Sequence, residues 1–470
     1  IISHAVYLSV NRSGENCINR LHRNFLSLPY TRNQHSSLVP ELRFTEFRES
    51  EGWIQKTIKD IFSIFQGYAF SSTDSVATGT RWLKIADVDI QKMNHNSPSF
   101  LPKDYEGEYG RFIVKKGDYV MALTRPILGG KLKVACVDDV FDGALLNQRV
   151  GKLVTQENST FVYYLIQTSQ LVSDIERSIA GSEPPNLSSQ QIKDIKTYIP
   201  SDEREIKKVA DCLSSMDDLI TKNTQKLESL KLHKKGLMQK LFPEEGKSIP
   251  EFVFACNVKW IKKTFEEVYS LKTTNSLSRD KLNYDEGLVK NIHYGDIHTK
   301  FSTLFDITKE YVPFISEEIS LDKIKQESYC QEGDMVFADA SEDIDDVGKS
   351  IELININGEK LLSGLHTILA RQKESYLVKG FGGYLFKSEA MRRQIQKESQ
   401  GAKVLGISSG RISKIDVIYP IKQSEQQRIV DCLSSLDKLI DAQTKKIKVL
   451  NKYKKGLMQK LFPEIKEFIA

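Results

Sequence analysis

The segment KKGLMQKLFPE at residues 234–244 occurs a second time, letter for letter, at residues 454–464. The same offset of 220 residues holds upstream, where Asp211-Cys-Leu-Ser-Ser215 is repeated as Asp431-Cys-Leu-Ser-Ser435. Eleven identical residues at a fixed separation indicate an internal duplication rather than coincidence. The 470-residue chain is therefore interpreted as two copies of one unit.

Weaker matches precede each copy of this segment. Trp53-Ile-Gln-Lys-Thr57 matches Trp260-Ile-Lys-Lys-Thr264 at an offset of 207, and Gly117-Asp118 matches Gly333-Asp334 at an offset of 216. An offset that grows along the chain is expected where loops of a shared scaffold differ in length. The matches predict five parts: an N-terminal extension (residues 1–37), a first globular domain (38–200), a first long helix (201–244), a second globular domain (245–420) and a second long helix (421–465).

Apolar residues in both tails recur at alternating steps of three and four, which is the a/d pattern of a coiled coil. The predicted seam residues are Leu213, Ile220, Asn223, Leu227, Leu230, Leu237, Leu433, Ile440, Gln443, Ile447, Leu450 and Leu457. Prolines before and after each tail, at 200, 243, 420 and 463, are typical helix boundaries. Each helix should extend roughly 50–55 Å. Packing the two helices against each other avoids a large exposed apolar stripe.

Asn223 and Gln443 occupy the same seam position in the two helices. A polar residue at such a position typically fixes register and orientation at some cost in stability. The alternative interpretation is a solvated helix edge.

The two globular parts have the pattern of mixed α/β domains, with short apolar runs between polar loops. The predicted strands include Asp118–Leu123, Phe161–Leu165, Met335–Phe337 and Lys414–Tyr419, and the predicted short helices are Trp53–Phe65 and Gly383–Lys397. The predicted fold class is therefore α+β. It comprises two mixed α/β domains, separated by two long helices that form an antiparallel coiled coil, with a pseudo-twofold internal repeat.

Composition excludes several classes of protein. An apolar share of 40% is too high for a disordered chain, and no run approaches the roughly 20 apolar residues that span a bilayer. The opening residues are too short and poorly flanked for a secretory signal, so a cytoplasmic location is expected. Six cysteines without a C-x-x-C pair predict neither disulfides nor a zinc site. A net charge of +5 is compatible with nucleic acid binding without being diagnostic.

Catalytic motifs are weak throughout the chain. Glu183-Pro-Pro-Asn186 lacks the aromatic residue of a methyltransferase amine-binding loop. The Gly-Lys-Ser triplets at 246–248 and 348–350 lack the earlier glycine of a phosphate-binding loop. The eight histidines form no metal motif. We expect no catalytic residue, no metal and no cofactor bound by this chain.

Polar and basic side chains lie in the loops of both domains, and such side chains pair with base edges or phosphates. The candidates for DNA contact are Arg81, Lys84, Arg125, Lys131, Lys133, Asn147, Gln148, Arg149, Lys290, Asn291, His293, Tyr294, His298, Lys300, His366 and Arg371. Any one of them taken singly can equally be an ordinary surface residue.

The tails carry L-S-S-[LM]-D-x-L-I followed by KKGLMQKLFP, twice, after two divergent domains. This arrangement resembles the specificity (S) subunit of type I restriction-modification systems. Leu42-Arg43-Phe44 with Trp53, and Gly333-Asp334-x-Val336, resemble the start and the middle of that family's target-recognition domains. The resemblance covers residues from about 38 to 465, whereas residues 1–37 match nothing expected of the family.

The resemblance implies binding of double-stranded DNA at a bipartite site, one half-site per domain, with the coiled coil setting the spacer. It implies two methyltransferase subunits, which use S-adenosylmethionine to methylate adenine N6, and two restriction/motor subunits that use ATP and magnesium. It also implies a prokaryotic cytoplasmic complex without a membrane partner. Two alternatives stay open: a duplicated coiled-coil adaptor without DNA specificity, and a self-contained modification enzyme.

Overall fold

The computed structural model describes residues 25–27, 38–181, 184–401 and 404–463. Two compact units divide the chain, unit 1 with residues 1–223 and 446–470, and unit 2 with residues 224–445. Each unit thus contains one globular domain and a part of both long helices. The predicted extension 1–37 lies outside the described residues apart from a short strand at 25–27, and so does Glu183 of the discarded loop motif.

The elements of the first half follow in chain order. The strands are β1 (Phe25–Ser27), β2 (Leu42–Phe44), β3 (Ile54–Thr57), β4 (Phe62–Gln66), β5 (Thr80–Leu83), β6 (Phe100–Leu101), β7 (Tyr119–Ala122), β8 (Ile127–Leu128), β9 (Lys131–Leu132), β10 (Val134–Cys136), β11 (Leu145–Leu146), β12 (Val150–Thr155) and β13 (Lys196–Ile199). The helices are α1 (Ile58–Ile61), α2 (Tyr105–Glu108), α3 (Ser159–Leu165), α4 (Ser169–Ile179), α5 (Ser189–Ile192) and the long α6 (Glu203–Leu241).

The elements of the second half also follow in chain order. The strands are β14 (Trp260–Thr264), β15 (Tyr269–Lys272), β16 (Leu282–Asn283), β17 (Lys290–Ile292), β18 (Leu304–Asp306), β19 (Phe314–Ile315), β20 (Met335–Ala338), β21 (Ala340–Ser341), β22 (Ser350–Asn355), β23 (Leu361–Ser363), β24 (Thr367–Gln372), β25 (Leu405–Gly406) and β26 (Asp416–Pro420). The helices are α7 (Phe265–Val268), α8 (Tyr294–Thr299), α9 (Phe381–Leu385), α10 (Glu389–Glu398), α11 (Ser409–Ile412) and the long α12 (Gln423–Leu461).

The two units share one sheet topology. The main sheet has the order β10-β7-β12-β4 in unit 1 and β22-β20-β24-β15 in unit 2, where β18 is added beside β22. A second sheet contains the parallel pairs β5–β11 and β17–β23. The antiparallel pairs β3–β13 and β14–β26 complete each domain. The predicted α+β fold with an internal repeat is confirmed.

The long helices are antiparallel within unit 1. Trp53 contacts both the start of α6, through Glu205, and the end of α12, where its ring lies 5.8 Å from that of Phe462. Further along, Asp217 of α6 pairs with Lys454 of α12. Advancing along α6 therefore means moving backward along α12. The equivalent contacts in unit 2 come from Lys234 with Asp437 and from Phe242 with Phe381.

The predicted seam residues of both helices are all buried or half-buried. Asn223 and Gln443 are among the buried ones, so the solvated-edge interpretation of this position is wrong. Asn223 donates its side-chain amide to the carbonyl of Leu219 in its own helix at 2.6 Å. The register role of the two residues stays a prediction.

Packing within each unit explains why the tail segment is repeated so closely. Tyr164 donates to Asp217 at 2.6 Å in unit 1, and Asp217 pairs with Lys454. Tyr384, Asp437 and Lys234 form the same triad in unit 2, where the hydroxyl–carboxylate distance is 2.7 Å. The following Leu-Phe pair of each tail is buried in the core of the domain. Two equivalent sites on the scaffold thus require the same side chains.

Two element predictions were wrong. Phe161–Leu165 is part of helix α3, which starts where Asn158 accepts a hydrogen bond from the amide of Phe161. A short run of residues that are all buried shows no alternation of apolar and polar residues, so its sequence does not distinguish a strand from a helix. Trp53–Phe65 is not a helix, because only α1 is helical between strands β3 and β4, which pair with β13 and β12. The helix expected at Gly383–Lys397 is divided into α9 and α10.

A buried carboxylate caps α9 in unit 2. Glu352 of β22 accepts hydrogen bonds from the amides of Gly380 and Gly383 at 2.6 and 2.7 Å. Burial raises the pKa of Glu352 to about 7, against an ordinary value of 4.5. The folded chain therefore binds more protons than the unfolded chain between these two pH values.

A Glu352→Gln variant tests this titration. The wild-type free energy of unfolding should fall as the pH rises from 4.5 through about 7, by up to about 3 kcal/mol, because ionisation of the buried carboxyl is disfavoured in the folded state. The variant cannot ionise there, so its stability relative to wild type should improve by that amount between about pH 5 and about pH 8. Urea denaturation at the two pH values measures the difference. A difference that does not change with pH would contradict the assignment.

Within the described ranges, no helix combines the length and apolarity needed to cross a membrane.

Candidate nucleic-acid interface

A two-residue hairpin projects from the unit 1 domain. Strands β8 and β9 pair through Ile127 with Leu132 and Leu128 with Lys131. Gly129 and Gly130 form the turn with φ of +55° and +70°, a conformation that favours glycine and suits a tight hairpin.

Four cations and an amide lie on or beside this hairpin. We call Arg125, Lys131, Lys133, Gln148 and Arg149 the basic hairpin surface. Backbone hydrogen bonds join its loops, since Leu123 donates to the carbonyl of Arg149 at 2.8 Å and Ala122 donates to that of Lys133 at 2.9 Å. Lys133 is half-buried, and burial lowers its pKa; the carboxylate of Asp89 opposes this shift and the nearby Arg125 adds to it. The other four side chains are exposed.

The cations of the basic hairpin surface are not held in ion pairs within the described part of the chain. Among the described residues, Arg125, Lys131, Lys133 and Arg149 form no ion pair. A group of cations without carboxylate partners produces a positive potential that attracts a polyanion. Phosphates of a nucleic acid backbone fit this surface.

The remaining unit 1 candidates support the domain instead. Arg81 has a side chain only 10% exposed, stacked 4.5 Å from the Phe141 ring. Lys84 lies 3.9 Å from the ring centre of the buried Trp82. Asn147 is buried and accepts from the amide of Arg149 at 3.0 Å.

Histidines surround Tyr294 in unit 2. The rings of His293 and His366 lie 4.6 and 5.4 Å from that of Tyr294, and His298 lies at 6.2 Å. His293 accepts from the amide of Gly295 at 3.1 Å, and burial and the neighbouring guanidinium of Arg279 lower its pKa. His366 is exposed at the edge of this group.

A buried carboxylate organises the adjacent surface. Asp296 is 1% exposed and binds Arg279 through both oxygens at 2.8 and 2.9 Å, and Lys300 at 2.8 Å. Burial alone would raise the pKa of Asp296, but the hydrogen bonds from these two cations outweigh it and lower the pKa. Arg279 and Lys300 also donate to the hydroxyl of Tyr284 at 3.2 and 3.1 Å. The ring of Tyr311 stacks on Tyr284 with centroids 4.5 Å apart.

Three unit 2 candidates have structural partners. Lys290 pairs with Glu359 at 2.6 Å. Asn291 is fully buried and accepts from Asn275 at 2.6 Å. Arg371 forms a bidentate pair with the buried Asp334 at 2.7 and 2.9 Å. These geometries assign the three side chains to the scaffold.

Arg279, Tyr284 and Tyr311 were not predicted, because nothing in their local pattern shows that Arg279 binds Asp296 or that the two tyrosines stack. We call these three residues and Asp296, together with the predicted residues His293, Tyr294, His298, Lys300 and His366, the Asp296 group. In the sequence, Arg81 and Lys84 looked equivalent to Arg125. In the structure they lie against the rings of Phe141 and Trp82, outside the basic hairpin surface.

Comparison with known proteins decides the family. The family model described as type I restriction modification DNA specificity domain matches residues 50–232 and 257–452, one match in each copy. The chain belongs to this family. The predicted resemblance is confirmed, and neither the adaptor nor the self-contained enzyme is favoured.

Individual members of the family are similar over one copy. The MjaVIII specificity subunit of Methanocaldococcus jannaschii is 31% identical over 194 residues, which cover 41% of this chain and 45% of that protein. The EcoAI specificity subunit of Escherichia coli is 26% identical over 178 residues, 37% of this chain and 29% of that protein. The matches span less than half the length of these curated relatives.

Solved structures share the fold over more of the chain. The S subunit of a type I restriction-modification system from M. genitalium has a TM-score of 0.57 at 15% identity, covering 91% of this chain and 100% of that chain. A structure described as explaining complex assembly and conformational transition of the type I R-M system has a TM-score of 0.50 at 15% identity, covering 88% and 98%.

Proposed function

We propose that this chain is the DNA-specificity subunit of a type I restriction-modification complex. Each globular domain reads one half of a bipartite site in double-stranded DNA, and the antiparallel helices set the spacer between the halves. The observation that carries the proposal is one repeated scaffold bearing two different polar surfaces, the basic hairpin surface in unit 1 and the Asp296 group in unit 2. A shared scaffold with divergent surfaces is what reading two different half-sites requires.

Two methyltransferase subunits are proposed to bind the repeated parts of the chain. The tail segment includes Lys235 and Gln239, which are exposed and recur as the exposed Lys455 and Gln459. Internal packing does not account for identical residues that face solvent, whereas two identical partners would. One partner per copy follows from the duplication.

The chemistry is proposed to belong to the partners. The methyltransferase subunits would bind S-adenosylmethionine and methylate adenine N6, and two restriction/motor subunits would use ATP and magnesium to cleave unmethylated DNA. Within the described residues no group of His, Cys, Asp and Glu could hold a metal ion. We place the complex in the prokaryotic cytoplasm, where chromosomal DNA is methylated.

Exchange of one domain tests the proposal. Replacing residues 38–200 with the equivalent domain of a relative should change one half of the methylated motif and leave the other half intact, because β13 closes the first domain at Ile199, before α6 begins. Methylation sequencing of a host that expresses the chimaera gives the motif. The reciprocal exchange of residues 245–420 should change the other half. Altered recognition at both halves in either chimaera would refute modular reading.

A further inference from the structure

We infer that the two units hold DNA by different physical means, unit 1 through cations that form no ion pair among the described residues and unit 2 through an exposed tyrosine stack. This inference rests on the proposed function and deepens it. It assigns the salt-dependent part of binding to the basic hairpin surface and a salt-independent part to Tyr311.

The cations of the basic hairpin surface are available to phosphates. Arg125, Lys131, Lys133 and Arg149 have no ion-pair partner among the described residues, and three of the four are exposed. Each cation that neutralises a phosphate releases condensed counterions, which makes affinity fall with salt by a slope of about 0.9 per contact in a double-logarithmic plot. Up to four such contacts are available on this surface.

The cations of the unit 2 candidate surface are held in ion pairs. Lys290 pairs with Glu359, and Arg371 pairs with Asp334. Arg279 and Lys300 share Asp296, so this pair of cations retains one net charge. A surface whose cations are held by carboxylates releases few counterions when DNA binds, and its contribution to affinity changes little with salt.

The tyrosine stack offers unit 2 another source of affinity. Tyr311 is 67% exposed, and its ring is nearly parallel to that of Tyr284, at 19°. The hydroxyl of Tyr284 is held by Arg279 and Lys300, so the platform beneath Tyr311 is fixed before DNA arrives. An exposed, pre-oriented aromatic face stacks on a base or inserts at an unstacked step, and this contact involves no counterion.

The test measures affinity against salt for the full chain with the subunits that co-purify with it. A duplex is first selected from a pool with two randomised segments, and its affinity is measured by fluorescence anisotropy from about 50 to 200 mM salt. Lys131→Ala and Arg149→Ala should each reduce the slope by about one. Tyr311→Ala should weaken binding about tenfold at every salt concentration with an unchanged slope, and Tyr311→Phe should retain wild-type affinity.

Control variants keep the outcomes separate. Lys59→Ala removes an exposed cation that is paired with Asp194 outside both surfaces, and should change neither slope nor affinity. Thermal melting of Tyr311→Ala should match wild type, since the side chain is largely exposed. Unchanged affinity of Tyr311→Ala, or an unchanged slope of both cation variants, would overturn the inference. Failure of the wild-type complex to enrich any sequence would instead refute the proposed function.

Discussion

Deleting one heptad from each long helix, Ile220–Lys226 together with Ile440–Lys446, is expected to shorten the spacer of the methylated motif and leave both half-sites unchanged. Seven residues of α-helix correspond to about 10 Å, and hence to about three base pairs at 3.4 Å each. A change of motif geometry without a change of motif sequence is the largest effect that the account predicts. Methylation sequencing of cells that express the deletion variant reads out both quantities at once.

The deletion leaves the attachment of each domain intact. The pairs Asp217–Lys454 and Lys234–Asp437 lie outside the deleted segments, and both helices lose the same number of residues between these contacts. Removal of seven residues also preserves the phase of the a/d seam. A three-residue deletion of Thr221–Asn223 and Asp441–Gln443 is the control, and it should disrupt the seam and destabilise the chain. If the heptad-deletion variant folds and its methylated motif keeps the wild-type spacer, the proposal that the long helices set the spacer is refuted.

Replacing Arg43 with methionine is expected to lower the free energy of unfolding by about 3–5 kcal/mol, because it leaves a buried charge without a partner. Arg43 binds both carboxylate oxygens of Glu205 at 2.6 and 2.8 Å, and the two side chains are 3% and 1% exposed. The guanidinium also donates to the carbonyls of Ser50 and Glu51 at 2.9 and 2.7 Å. The single ion pair thus joins β2, the loop before β3 and the start of α6.

A double variant distinguishes the cost of losing the ion pair from the cost of leaving the Glu205 carboxylate buried without a cation. Arg43→Met with Glu205→Gln removes both charges and should recover a large part of the stability lost in the single variant. The pair of Arg204 with Asp202 supplies the control, because Arg204→Met should cost little where the guanidinium is 82% exposed. Urea denaturation measures all three variants. Equal stability of Arg43→Met and Arg204→Met would contradict the structural role of the buried pair.

In the second unit, the start of the long helix is attached to its domain without an arginine. Pro40-Glu-Leu-Arg-Phe44 matches Pro250-Glu-Phe-Val-Phe254, so Val253 stands at the position of Arg43. Glu425, the equivalent of Glu205, accepts from the amide of Phe254 at 2.6 Å. Trp260 Nε1 and the other oxygen of Glu425 are buried without a hydrogen-bond partner among the described residues. The helix starts of the two units are therefore fastened to their domains by different groups.

The long helices and their seam could be predicted because a coiled coil is encoded in local spacing. The run from Leu213 to Leu237 shows its period without any knowledge of the partner helix. The run Phe161–Leu165 could not be assigned correctly, because all five of its residues are buried and the sequence therefore shows no exposed face; the structure caps this helix with Asn158. Local pattern decides secondary structure only where one face meets water.

The candidate interface was predictable to different degrees in the two units. Arg125, Lys131 and Lys133 lie close together in the sequence, so a hairpin brings them together, whereas Arg149 is added by the backbone hydrogen bond that its carbonyl accepts from Leu123. Arg371 is also a basic residue and looked like an equally good candidate in the sequence. In the structure, however, it is bound by Asp334, which is 37 residues away in the chain. The orientation of the Tyr311 ring likewise depends on its stack with Tyr284, which is distant in the sequence. Exposure that is set by long-range contacts cannot be derived from local sequence.

Adenine-methylation sequencing of the host genome, with and without this gene, tests the central claim most directly. The account predicts that one bipartite motif is methylated in the wild type and unmethylated in the deletion strain, and that the gene restores it in trans. Co-expression with the matching methyltransferase subunit in a second host should install the same motif. A methylome unchanged by deletion, together with no new motif on co-expression, would contradict the assignment of this chain as the specificity subunit.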